Sequence, residues 1–148
     1  GRTLFFDVLY TKKGLPDEET LLLTDENYKN SLVALNFCEA ERYELLCDQP
    51  VDLFINIASM QEMDPVIIRT YFNYMRQSSS AKVYFYCCNR ERKVLPDGTV
   101  SDFSEYPWDD AHILFDELCP WYQRYPYSLP PFWIQFDGTT RHRLVELK

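Results

Sequence analysis

Glycine is scarce. Only four glycines occur among 148 residues: Gly98 and Gly138 in Asp-Gly turns, Gly14 in an early loop, and Gly1 opening the chain. They form no GxG and no P-loop, so the backbone cradle that usually grips a nucleotide phosphate is missing from this chain. Histidine is scarcer, with two residues, and the adjacent Cys87 and Cys88 point to opposite sides of a strand, so a zinc centre lacks its ligands. No metal site is expected. Basic residues number 15 against 23 acidic ones, and a net charge of −8 excludes the phosphate neutralisation that non-specific nucleic-acid or anionic-membrane binding needs. No apolar run approaches the roughly 20 residues that cross a bilayer. Five cysteines, an odd number without a signal-peptide pattern, read as reduced, mostly buried thiols of a soluble cytoplasmic protein.

Aromatic residues, by contrast, are plentiful: 11 Tyr, 10 Phe and 3 Trp imply a heavy core and an aromatic-lined pocket. The length suits one domain burying roughly 70% of its unfolded surface. The chain is organised around VDLFINIASMQEM, Val51 to Met63, whose near-continuous apolar start reads as a strand buried on both faces. Ser59, Gln61 and Glu62 follow where that strand ends, the position at which open α/β sheets bind ligands. Ser59 and Glu62 also fit the capping box S-x-x-E. One residue can serve both roles.

Thr3 to Tyr10 is expected to be a strand, Asp17 to Asn30 is mixed, and Ser31 to Phe37 is a second strand-length apolar run. Asp64 and Pro65 open an amphipathic helix to Gln77, with Ile68, Tyr71, Phe72 and Met75 at helical spacing. Lys82 to Cys88 is a further buried strand, with Asn89 and Arg90 at its carboxyl end. The long loop Glu91 to Pro107 is a flap candidate. Asp109 and Asp110 are expected to cap a short helix to Leu118. Phe132 to Phe136 and Arg143 to Leu147 are expected to pair as a terminal hairpin. Helix-linked strands imply parallel pairing, so the fold class is α/β, a mostly parallel sheet with a terminal antiparallel hairpin.

Several short motifs then fall in one order: DLFINIASMQEMDP with YF at 71–72, YCCNRE at 86–91, LPDGT at 95–99, YPWD at 106–109, DELCPW at 116–121 and DGTTRHR at 137–143. Together they make Val51 to Lys148 resemble the sugar O-methyltransferase family that depends on S-adenosylmethionine. The resemblance implies a Rossmann-like, seven-stranded sheet whose last strand is antiparallel. It implies S-adenosylmethionine as cofactor and a sugar or glycan as acceptor. Such enzymes hold the cofactor with a glycine-rich loop after the first strand and an acid after the second; the loop is absent here, and Asp7 is the candidate acid. The chain is therefore expected to be the carboxyl-terminal part of a longer protein, able to form a homodimer through an exposed sheet edge.

Transfer to a hydroxyl needs a base. Glu62 is the first candidate by position and His142 the second, expected between the cations Arg141 and Arg143 to be a neutral acceptor; His112 is a third. Asn56, Ser59 and Gln61 are expected to bond to the cofactor, Asn89, Arg90 and Arg141 to orient the sugar, and Trp108, Trp121 and Tyr122 to stack on it. Two rival readings stay open. One is a non-catalytic carbohydrate- or protein-binding domain; the other is a hydrolase using Cys87 or Cys88 with His142.

Overall fold

The structure, a computed structural model, describes residues 2–28, 33–46 and 49–148. The chain divides into two compact units, Gly1–Gln49 and Pro50–Lys148. The first holds helix α1 (Arg2–Gly14), strands β1 (Thr20–Leu22) and β2 (Leu35–Phe37), and a 3-10 segment, Ala40–Leu46. β1 and β2 pair in parallel, Thr20 opposite Leu35. The strand expected over Thr3 to Tyr10 is thus a helix. Its half-buried positions are Leu4, Val8 and Thr11, a helical repeat, whereas Phe6, Leu9 and Tyr10 are exposed. Lys12 and Lys13 in the last turn complement the helix dipole. Ser31 and Leu32 of the expected second strand, and Cys47, lie outside the described residues; Leu35–Phe37 is extended as expected.

The second unit contains β3 (Leu53–Ile57), a 3-10 turn (Met60–Glu62), α2 (Pro65–Arg76), β4 (Tyr84–Arg90), β5 (Arg92–Val94), β6 (Val100–Asp102), a second 3-10 turn (Phe103–Glu105), β7 (His112–Leu118), β8 (Arg124–Pro126), β9 (Trp133–Gln135) and β10 (Thr140–Glu146). Its main sheet has the order β3-β4-β10-β7. β3 runs parallel to β4, with Leu53 opposite Tyr84; β10 is antiparallel to β4, with Val145 opposite Phe85, and to β7, with Arg143 opposite Asp116. One parallel and two antiparallel ladders make a mixed sheet, not the mostly parallel sheet expected. The expected terminal hairpin does not form either. β9 pairs with β8, Tyr125 opposite Ile134, and β10 enters the sheet alone. The seven residues of β10 bury Thr140, His142 and Val145, which takes a long neighbour on each edge; three-residue β9 cannot supply that.

Helix α2 is as expected. The Asp64 carboxylate accepts from the Val66 N–H at 2.7 Å, Pro65 occupies the first turn, and Ile68, Phe72 and Met75 face the sheet side of the core. Phe72 meets Phe85 edge-on at 5.3 Å. The helix expected from Asp109 to Leu118 is instead strand β7. Asp110 takes a left-handed φ of +62°, so the aspartates form a turn, and HILFDEL pairs along β10 across one bulge. The expected flap is also ordered: β5 and β6 form a hairpin, Lys93 opposite Ser101, closed by Gly98 at φ +88°. Phe103 and Tyr106 beyond it are buried, and Tyr106 and Trp108 pack on Phe72 at 6.5 and 5.1 Å. No helix among the described residues is long and apolar enough to cross a membrane.

Candidate functional site

Because β3 and β4 are parallel, their carboxyl ends share one rim. Ala58 ends β3 with φ +57°, its N–H donating to the Cys88 carbonyl at 2.8 Å, and turns the chain into Met60–Glu62. Asn89, fully buried on β4, then ties this turn to the sheet. Its amide donates to Asn56 Oδ1 at 2.9 Å and to Cys87 Sγ at 3.0 Å, and its Oδ1 accepts from the Gln61 N–H at 3.1 Å. Asn56 Oδ1 also accepts from the Met60 N–H at 3.1 Å, and Gln61 Oε1 from the Arg90 N–H at 2.8 Å. Six of the expected site residues, Asn56, Ser59, Gln61, Glu62, Asn89 and Arg90, therefore form one connected rim. Arg141, opposite Asn89 on β10, joins the same end of the sheet.

The capping box does not form. Ser59 makes no capping bond; its Oγ accepts from Asn56 Nδ2 at 2.5 Å. Glu62 bonds to Lys93 of the β5–β6 hairpin, and its Oε1 accepts from Gln61 Nε2 at 3.3 Å. The Lys93 ammonium beside Glu62, more than its burial opposes, holds that carboxyl below the usual range. Glu62 is thus ionised, and its side chain is about half exposed, at 49%.

His142 lies elsewhere, on the sheet face opposite the two arginines. Successive residues of β10 alternate, so Arg141 and Arg143 both reach Asp116, at 2.9 and 2.6 Å, and do not flank the imidazole as expected. The imidazole is 3% exposed, Nδ1 lies 3.1 Å from the Tyr86 hydroxyl and Nε2 3.2 Å from Glu117. Burial pushes Tyr86 up to about 12, which keeps it a neutral hydroxyl at physiological pH. His112, on the same strand as Glu117, is exposed.

Arg141 also donates to Glu91 at 2.9 Å, and Arg143 lies 4.5 Å from the Trp108 ring centre. Burial would raise the Asp116 carboxyl, but the Arg143 and Arg141 guanidiniums outweigh it and hold Asp116 low. A cleft of about 430 Å³ opens beside Glu91, Arg92, Ser104, Asp116 and Arg141. Trp108 is not a free stacking platform: it lies 6.0 Å from Phe85, almost parallel to it, and its Nε1 donates to the Phe103 carbonyl at 2.7 Å. Tyr122 stacks on Phe136 at 5.1 Å. Trp121 remains open to solvent and meets His142 edge-on at 5.3 Å. Asp7 is an exposed residue of α1, in the other unit, not an acid at a strand end.

The partners that reading the chain alone missed are Lys93, Glu117, Tyr86 and Asp116. Three lie on elements misread as a loop or a helix, so no local pattern could pair them; Tyr86 lay on an expected strand whose neighbour was unknown. Among the described residues no group of three His, Cys, Asp or Glu side chains could hold a metal ion. Cys38, Cys87, Cys88 and Cys119 are free thiols. Burial pushes Cys87 and Cys88 up to about 12, opposite to what a thiolate nucleophile needs.

These residues do not by themselves fit S-adenosylmethionine. The amides of Asn56, Gln61 and Asn89 are spent on neighbouring side chains and on the backbone, the acid that follows β4, Glu91, is paired with Thr139 and Arg141, and the sequence has no glycine-rich loop to accompany them. No family model matches this chain, and neither a curated protein nor a solved structure does so.

Proposed function

We propose that residues 50–148 form the acceptor-side, carboxyl-terminal part of an S-adenosylmethionine-dependent O-methyltransferase acting on a sugar hydroxyl. The observation that carries this reading is the direction of the strands. β3, β4 and β7 run one way, and the last strand, β10, is the reversed one, inserted between β4 and β7. The family that the sequence resembles likewise has an antiparallel last strand, and the carboxyl ends of β3 and β4, where Glu62 stands, are where its acceptor would lie. Glu62 is the base a sugar hydroxyl can reach, being ionised and half exposed, whereas both nitrogens of buried His142 are engaged. The free thiols Cys38, Cys87, Cys88 and Cys119 suit a cytoplasmic protein, and a homodimer through β3 belongs to the same reading.

The test is calorimetry with S-adenosylmethionine and S-adenosylhomocysteine on the protein expressed from its complete reading frame, followed by tritium transfer to a panel of sugars. Residues 1–148 alone are expected to bind at least about tenfold more weakly, because the glycine-rich loop is absent from them. Failure of the complete protein to bind either compound overturns the reading. With turnover in hand, Glu62→Gln should lower kcat about 10²-fold or more.

The closed amide network favours a second reading, a carbohydrate-binding domain without chemistry. Sugar binding without binding of either sulfur compound selects it.

A further inference from the structure

The hairpin β8–β9 presents one face that the rim network does not use. Arg124 stands opposite Gln135 and Pro126 opposite Trp133, so Arg124, Pro126, Trp133 and Gln135 share a face, while Tyr125 and Ile134 take the other. The second face is the anchored one: Tyr125 and Tyr122 both pack on Phe136 at 5.1 Å, and Arg90 lies over the same ring at 5.9 Å. Gln123 fixes the base of the hairpin, donating to the Cys119 and Thr140 carbonyls at 2.8 and 2.7 Å and accepting from the Thr140 N–H at 3.3 Å. The first face is left in water.

There, Pro120, Trp121, Gln123, Arg124 and Trp133 line an open cleft of about 440 Å³, within the range of small-molecule sites. Trp121 is 69% and Trp133 59% exposed, a large apolar area held in place by an anchored backbone. Indole faces of this kind suit the C–H face of a pyranose, and the rigidity removes part of the ordering cost of binding. The cleft also carries a charge. The Arg124 guanidinium has no hydrogen-bond or ion-pair partner among the described residues, although this chain carries an acidic excess of 8 charges. A planar guanidinium of that kind pairs bidentately with a carboxylate.

We propose that the cleft between Trp121 and Trp133 binds a pyranose bearing a carboxylate, a uronic acid, with the indoles against the ring and Arg124 on the acid group. None of the residues lining this cleft belongs to the rim that carries Glu62, so it is a sugar site in its own right and stands independently of the methyl transfer proposed above. The experiment is titration of tryptophan fluorescence with methyl glucuronide and with methyl glucoside, without S-adenosylmethionine. The glucuronide is expected to bind at least about tenfold more tightly. Arg124→Gln should abolish that preference and Arg124→Lys keep part of it; Trp133→Ala should weaken both ligands about tenfold or more. Both side chains are exposed, so the variants retain the fold. No saturable binding of the glucuronide, equal binding of the two glycosides, or variants that bind like the parent would each overturn the proposal. A protein that binds S-adenosylmethionine but no glucuronide loses only this sugar site; one that binds glucuronide but no cofactor loses only methyl transfer.

Discussion

Asn89 and Glu62 sit on the same rim and differ in what they do there. Asn89 is fully buried and makes three hydrogen bonds that join β3, β4 and the Met60–Glu62 turn. Asn89→Ala would strand the Gln61 N–H without its partner, and a loss of about 3 kcal/mol is expected in urea denaturation. Glu62 makes a half-exposed ion pair with Lys93. Glu62→Gln should therefore change stability by less than about 1 kcal/mol, which leaves its effect on turnover open to measurement in a folded variant. The chain alone showed that polar residues follow β3 and β4. It could not show that the amides of Asn56 and Asn89 are committed to each other, because the two lie 33 residues apart in sequence.

At the scale of elements, α2 was legible because its signals are local: a capping aspartate, a proline in the first turn, and apolar residues three and four apart. Asp64→Ala should cost about 1 kcal/mol by thermal or chemical denaturation, the usual worth of such a cap. β7 was not legible, since Asp109-Asp110 before an apolar run reads as a helix start until β10 offers a ladder. β3 has an edge free of partners within the described sheet, and Leu53, Ile55 and Ile57 stand exposed along it at 48, 62 and 55%. Such an edge invites pairing with another strand. Sedimentation velocity at rising concentration is expected to show association of the parent chain, and Ile55→Lys to abolish it.

For the molecule as a whole, the charge pairs set a stability window in pH. Glu62, Glu91 and Asp116 have folded values lowered by Lys93, by Thr139 with Arg141, and by Arg143 with Arg141 acting against burial. Their contribution is complete above the unfolded carboxylate value of about 4 and is lost as pH falls through the lower folded values. Cys87, Cys88, Tyr86 and Tyr106 act at the other end: burial raises each to about 12, so their stabilisation is complete below the unfolded values of about 8.5 for Cys and 10 for Tyr and fades as pH rises towards 12. Denaturant midpoints should therefore be flat from about pH 5 to 8 and fall on both sides. Asp116→Asn should lower the plateau and flatten the acid limb.

By itself the sequence determined the absence of a glycine-rich loop, the acidic balance, the capped helix α2 and the extended character of β3, β4 and the second half of β10, Arg143 onward, all of which depend on composition or on neighbours a few residues apart. Tertiary structure alone decided that β10 lies between β4 and β7, that β3 is an edge strand with Leu53, Ile55 and Ile57 exposed and not one buried on both faces, that His142 faces away from its flanking arginines, that Trp108 is half-buried among aromatic rings and Trp121 at the surface, and that Thr3 to Tyr10 is helical. Those outcomes turn on which long strand offers β10 a full ladder and on which face each residue then buries, and a strand's partners are chosen across the whole chain.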